Sequence, residues 1–252
     1  MKAAVAVVLF LSLFFRLSFS VYRKHFFVNR FMTWKDAQKY CREYHDDLST
    51  VTKEEAQLLS NNTGIIYEYF WIGLHMSPNN REQWIWSGGE DENINNWDIG
   101  EPNLLETEKC GVVRRFNSKL HNALCSRTRP FYCMNVFELI LVRQNKTWDE
   151  ALDYCRQNYT DLASLRSQRI MAEAINNTIT SQTAYVWTGL RFMAGHWFWV
   201  SGDDLQYKAW SVEGELQCPA RNLRCGALDR QNNVWRPNNC EDKLNFLCRK
   251  KL

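Results

Sequence analysis

The sequence predicts an α+β fold, built twice and pinned by disulfides. Three observations carry that prediction: motifs that recur in the same order in the two halves, helical periodicity followed by short aromatic runs within each copy, and cysteines at matching positions in both. Thr33 to Val51, TWKDAQKYCREYHDDLSTV, returns as TWDEALDYCRQNYTDLASL, Thr147 to Leu165. WIGL at Trp71–Leu74 returns as WTGL at Trp187–Leu190, WIWSGG at Trp84–Gly89 as WFWVSG at Trp197–Gly202, and Trp97 as Trp210. Cys110, Cys125 and Cys133 correspond to Cys225, Cys240 and Cys248. Repetition in this order means duplication. It predicts a first domain over 22–134 and a second over 136–249, with no long linker between them.

Each copy is expected to open with a short strand, His25 to Val28 and Phe137 to Val142. A helix follows, and Thr33 with Asp36, like Thr147 with Glu150, stands three residues apart where hydroxyl and carboxylate cap a first turn reciprocally. Ala37, Tyr40, Cys41, Tyr44 and Leu48 then recur at helical spacing and predict one buried face. A second helix is expected from Thr52, with Ala56 and Leu59 inward, and over Ser167 to Ile175 in the other copy. Aromatic strands come next: Tyr69 to Leu74, Trp84 to Trp86, Gly111 to Arg114 and Phe131 to Cys133. Helices first and strands later predict an antiparallel sheet. Trp71, Trp84, Trp86, Trp187, Trp197 and Trp199 lie inside these strand motifs and are expected in the core. Trp97 and Trp210 open the long loops and are expected to pack beneath them.

The first twenty residues hold Lys2, an apolar run from Ala3 to Phe15, and Ser18 and Ser20, the anatomy of a signal peptide over 1–20. The run is shorter than the roughly 20 apolar residues a spanning helix needs, and Arg16 interrupts it. The mature chain is therefore expected to be secreted, extracellular and without a membrane span. Of 31 Lys and Arg, two fall in this leader, so 29 basic residues face 28 acidic ones in the remainder. Near neutrality gives no electrostatic reason for nucleic acid as a partner. Export makes disulfides the default for nine cysteines. Four per copy allow three pairings, and closing loops of ~15 and ~100 residues is worth about 3 and 4–5 kcal/mol. Cys225, not Cys218, keeps the fifteen-residue spacing to its downstream cysteine, so Cys218 is left over, either a free thiol or a point of self-association. Sequons at Asn61, Asn145, Asn158 and Asn176 are candidate glycosylation sites, with Asn61 and Asn176 favoured because the other two flank a packed helix.

The stretch Trp97 to Cys125 concentrates oxygen ligands: Glu101, Pro102 and Asn103 in a triplet, Glu108 before Cys110, and Asn122 before Cys125. Calcium is a hard cation that takes six to eight oxygens, and a proline able to go cis could aim the flanking side chains at it. The strand motif W-I-G-L, the W-x-W-S-G block, the W-x-x-G-E-P-N loop and the four-cysteine framework together resemble the C-type lectin-like domain, in its short form and twice in tandem. The resemblance implies two helices, antiparallel sheets and a long loop per domain. It also implies the pairings Cys41–Cys133, Cys110–Cys125, Cys155–Cys248 and Cys225–Cys240.

In sugar-binding members of that family, calcium is held by the E-P-N triplet, a following Glu and an Asn-Asp pair, and the Glu-Asn version goes with mannose-type diols. By that resemblance Glu101, Asn103, Glu108 and Asn122 are the candidate metal and ligand-binding residues of domain 1. The departure is at Leu120, His121 and Asn122, where the family has W-N-D. Imidazole is a poor calcium ligand and Asn122 lacks the charge, so any calcium there is expected to be weak. Domain 2 offers Glu215, Leu216, Gln217, Leu223, Arg236 and Pro237 at the matching places and is expected to bind none. The five histidines show no zinc spacing such as H-x-x-x-H, and no G-x-S-x-G, P-loop or metal-protease motif points to an enzyme. The expected function is glycan or glycoprotein recognition, mannose-type and through domain 1. The alternative is a protein-binding module that keeps the fold without the sugar.

Overall fold

The computed structural model describes residues 21–61, 66–80, 83–89, 93–211, 214–215 and 217–252; the predicted signal peptide and Leu216 lie outside them. The chain forms two compact units, Arg23–Val136 and a second made of Phe137–Leu252 with the start of the first strand.

In the first unit the chain runs β1 (Val21–Met32), α1 (Trp34–Tyr44), β2 (Asp47–Leu48), α2 (Lys53–Ser60), β3 (Tyr69–Met76), β4 (Trp84–Trp86), β5 (Cys110–Arg114), β6 (Lys119–Ala123) and the beginning of β7 (Arg129–Lys146). β3 pairs antiparallel with β4 and β5, and β5 with β6. Period-two alternation along β3 divides the core. Phe70, Ile72 and Leu74 face one apolar cluster with Ala56 and Leu59 of α2, while Trp71 faces another with Ala37 and Cys41 of α1. Gly111 is required where β5 runs beside β3, since a Cβ there would meet the Leu74 Cβ at 2.6 Å.

The second unit repeats the order with the remainder of β7, α3 (Trp148–Asn158), β8 (Asp161–Leu162), α4 (Gln168–Asn177), a 3-10 turn (Thr178–Thr180), β9 (Tyr185–Met193), β10 (His196–Trp199), β11 (Cys225–Asp229), β12 (Val234–Asn238) and β13 (Leu244–Lys251). The duplication reaches single hydrogen bonds. Trp34 Nε1 donates to Ile72 O and Trp148 Nε1 to Thr188 O, both at 2.8 Å. Tyr22 stacks on Phe137 with ring centroids 5.5 Å apart.

Several local expectations are corrected. The opening strands are much longer than the apolar runs suggested, and β7 carries the chain from one unit into the next. β6 was not anticipated, because Lys119, His121 and Asn122 hide its apolar alternation. Each sheet also contains a parallel pairing, Trp71 with Phe131 and Phe246 with Trp187, where the last strand returns beside the WIGL-type strand. Tyr44, the last residue of α1, is exposed, and Leu48 lies in β2, because α1 ends at the His45 cap before reaching it. Thr147 and Glu150 form the expected reciprocal cap, whereas Thr33 and Asp36 do not. Aspartate is one carbon too short to reach back to the cap N–H, so the Thr33 hydroxyl donates to Asp36 Oδ2 at 2.6 Å instead.

α2 begins on a full capping box between Thr52 and Glu55. Burial alone would raise the Glu55 carboxyl, but His25, Arg23 and the Thr52 N–H outweigh it and hold the pKa down to about 2. A folded pKa below the unfolded value stabilises above the unfolded pKa and is lost as pH falls. This interaction should therefore contribute about 3 kcal/mol at neutral pH, weakening below pH ~4.5 and vanishing toward pH ~2. Urea midpoints followed over that window should fall more steeply for the native chain than for Glu55→Gln; parallel curves would refute the assignment.

Candidate functional site

The long loop of domain 1 is laid on β6. Trp97 makes a parallel bridge to Leu120, Asp98 N donates to Leu120 O at 3.0 Å, and Leu120 N donates to Asn96 O at 2.9 Å. Trp97 itself packs on Trp84, with centroids 4.9 Å apart. Its far end is tied by the Cys110–Cys125 disulfide. The Glu101–Pro102 peptide is cis.

Asn122, on β6, is the clasp of this loop. Its Oδ1 accepts from Asn103 N at 3.0 Å, and its Nδ2 donates to Glu108 O at 2.7 Å and to Asn103 O. Glu108 thus enters through its backbone carbonyl. Asn103 turns its own amide onto Glu101, Nδ2 donating to Oε1 at 2.8 Å.

His121, the neighbouring residue on the same strand, sits between two carboxylates. Its Nδ1 lies 3.1 Å from Glu101 Oε1 and its Nε2 3.0 Å from Asp98 Oδ2. The imidazole is 14% exposed and the Glu101 side chain 11%. Carboxylates accept, so the ring donates from whichever nitrogen carries a proton, and from both when it is protonated. The Asp98 carboxyl is held below its ordinary range, first by the Asn117 amide, then by the Ile99 N–H and His121. Asp98 and Asn117 were not singled out in the sequence. Nothing in the loop motif marks them, and only the pairing of loop and β6 brings them to His121.

Calcium would need these same oxygens. Glu101 Oε1 already accepts from Asn103 and lies against His121 Nδ1, and Asn122 Oδ1 is committed to a backbone N–H. The donor set does not fit the ion. Around this closed polar centre the loop presents apolar side chains to solvent, Ile99 fully and Leu104 at 68%.

In domain 2 the corresponding strand position holds Arg236, whose Nε donates to Asp229 Oδ2 at 2.9 Å, and Glu215 pairs with Lys208. Gln217 is exposed, and Leu223 and Pro237 are half-buried and offer no side-chain oxygen. A guanidinium at this place also does not fit a cation. Among the described residues no group of three His, Cys, Asp or Glu side chains is arranged to hold a metal.

The remaining candidates fall where the repeat put them. Cys41–Cys133, Cys155–Cys248 and Cys225–Cys240 are bonded like Cys110–Cys125, and Cys218 is free and exposed. Asn61, Asn145, Asn158 and Asn176 are all exposed; Asn158 Nδ2 is engaged by Tyr154 O at 2.9 Å. Among the described residues no helix is long and apolar enough to cross a membrane.

Two disulfide-pinned α+β units, each with a long loop laid on the strand between its last two loop cysteines, define a tandem lectin-type architecture. The chain belongs to the family of the Lectin C-type domain, whose model matches residues 30–135 and 144–250. Similar proteins include human lymphocyte antigen 75, 23% identical over 87% of this chain and 15% of that protein. The bovine secretory phospholipase A2 receptor is 22% identical over 87% of this chain and 17% of its own length. The chain thus spans under a fifth of these relatives. Among solved structures, human lithostathine is 25% identical with a TM-score of 0.41, covering 46% of this chain and 92% of that one. The C-type lectin CEL-I from Cucumaria echinata is 23% identical with a TM-score of 0.41, covering 44% and 89%.

Proposed function

We propose that this chain is an exported, non-enzymatic recognition protein whose first domain meets a glycan or glycoprotein through the Glu101–Glu108 loop without calcium. The observation that carries this reading is the His121 imidazole held between Asp98 and Glu101, each within hydrogen-bond distance of one ring nitrogen. An imidazole there takes up the carboxylate oxygens that would otherwise face an ion, and adds a positive charge beside them when it is protonated. Glu101 and Asn103 keep the residue types that go with mannose-type hydroxyls, so that sugar class is the first to try. Four disulfides agree with an oxidising, extracellular setting, and the exposed sequons Asn61 and Asn176 are the favoured glycan acceptors.

A second reading, a protein-binding module, is favoured by the exposed Ile99, Leu104 and Leu105 around the loop, since apolar anchors suit a protein surface better than a sugar. Self-association through Cys218 would belong with it and would appear as a dimer band on non-reducing electrophoresis, absent from Cys218→Ser. To separate the readings, the secreted chain is passed over mannose and galactose resins with calcium or with chelator. Retention on mannose, unchanged by chelation, is the expected result. Chelator-released retention would overturn the calcium independence, and no retention on either resin would favour the protein partner.

A further inference from the structure

The second domain carries a cleft of about 480 Å³ whose walls include three arginines. Arg191 forms one wall. Its guanidinium lies 4.5 Å over the Trp148 ring, rests against the Cys225–Cys240 disulfide, and comes within 3.7 Å of Asp149. Arg221 and Arg224 stand on the segment between Cys218 and β11, both exposed, and among the described residues neither is in an ion pair. The backbone of that segment is anchored. Phe192 N donates to Arg224 O at 2.8 Å, Leu223 N to Ala220 O at 2.8 Å, and Cys240 N to Asn222 O at 3.1 Å. Two guanidiniums are thus carried on a braced chain beside a third that is already packed.

The charge balance narrows the ligand. Asp149 is engaged with Arg191, so Arg221 and Arg224 share the cleft with a single carboxylate, Glu241. A small inorganic anion would meet Glu241 as a repulsion, and a neutral sugar would leave one of the two positive charges unbalanced. A sugar ring bearing one anionic group answers both. Its anion suits the planar guanidinium fork, and its hydroxyls donate to Glu241 and exchange hydrogen bonds with Asn222. The feature is not inherited from the duplication, because the matching positions of domain 1 are Lys35, His75, Glu106 and Lys109, with Glu106 reversing the charge of Arg221.

We propose that this cleft binds an acidic saccharide unit, one carrying a carboxylate or a sulfate ester, independently of the loop of domain 1. The full chain would be immobilised on a biosensor and titrated with 3′-sialyllactose, 6-sulfated lactosamine and lactose. Saturable binding of at least one acidic sugar with a dissociation constant of about 1 mM or tighter is expected, and which of the two binds identifies the anion. In the double variant Arg221→Gln with Arg224→Gln that binding should weaken at least roughly tenfold, the loss of a charge-assisted contact, with an unchanged thermal midpoint and unchanged mannose retention. Failure of both acidic sugars, equal binding by the variant, or inorganic sulfate binding as tightly as the sulfated sugar would each overturn the proposal.

Discussion

Replacing both Cys155 and Cys248 with alanine is expected to lower the stability of the second domain by about 4–5 kcal/mol. The bond spans a sequence separation of 93 residues and joins α3 to β13 within one apolar cluster. Its release returns to the unfolded chain the freedom of a loop that covers nearly the whole domain. Both cysteines are fully buried, so alanine adds a small packing loss without burying a new polar group. The Cys225–Cys240 bond closes only 15 residues and should be worth about 3 kcal/mol. Against a total of roughly 5–15 kcal/mol for a typical domain, the first loss is from about a third to nearly all of the margin. Denaturant unfolding of the whole chain would show it as an early transition for the second unit, with the first unit as an internal reference. A midpoint no lower than that of the Cys225/Cys240 double alanine variant would contradict the loop-closure argument.

The double substitution His121→Asn with Asn122→Asp should convert the first domain into a calcium binder. Asparagine at 121 removes the ring that occupies Glu101 Oε1 and Asp98 Oδ2, and aspartate at 122 adds the missing charge. The new carboxylate still accepts from Asn103 N, and it gives up the two donations to Asn103 O and Glu108 O. Without the ion the variant should therefore be the less stable chain. At a dissociation constant of ~0.1 mM, within the range of extracellular calcium modules, ~10 mM calcium would restore about 2.7 kcal/mol. Thermal melts with calcium and with chelator measure this directly. The native chain should show no difference between the two conditions; a native midpoint that rises with calcium, or a variant that ignores it, would refute the account of His121.

Much of the architecture was legible without coordinates, and the reasons are local. A helix face, a capping residue and a short aromatic strand depend on neighbours a few positions away, so Trp34–Tyr44, Lys53–Ser60 and Trp84–Trp86 emerge close to where periodicity puts them. Strand ends are another matter. Arg129–Lys146 is long because strands of both units pair along it, and no property of its own residues announces that. The candidate site divides in the same way. Glu101, Asn103, Glu108 and Asn122 stand out by residue type and spacing, but type does not tell which atom of each is used.

What the sequence alone determined is the duplication, the two helices followed by strands in each copy and the place of the long polar loop, because repeats and short-range periodicity are properties of the chain itself. Tertiary structure decided which cysteines pair, where the last strand returns in parallel, and what the loop's polar groups do. Asp98 and His121 are 23 positions apart and meet only because the loop lies along β6. Once they meet, a histidine that offers calcium nothing becomes the group that takes up the carboxylates the ion would have needed.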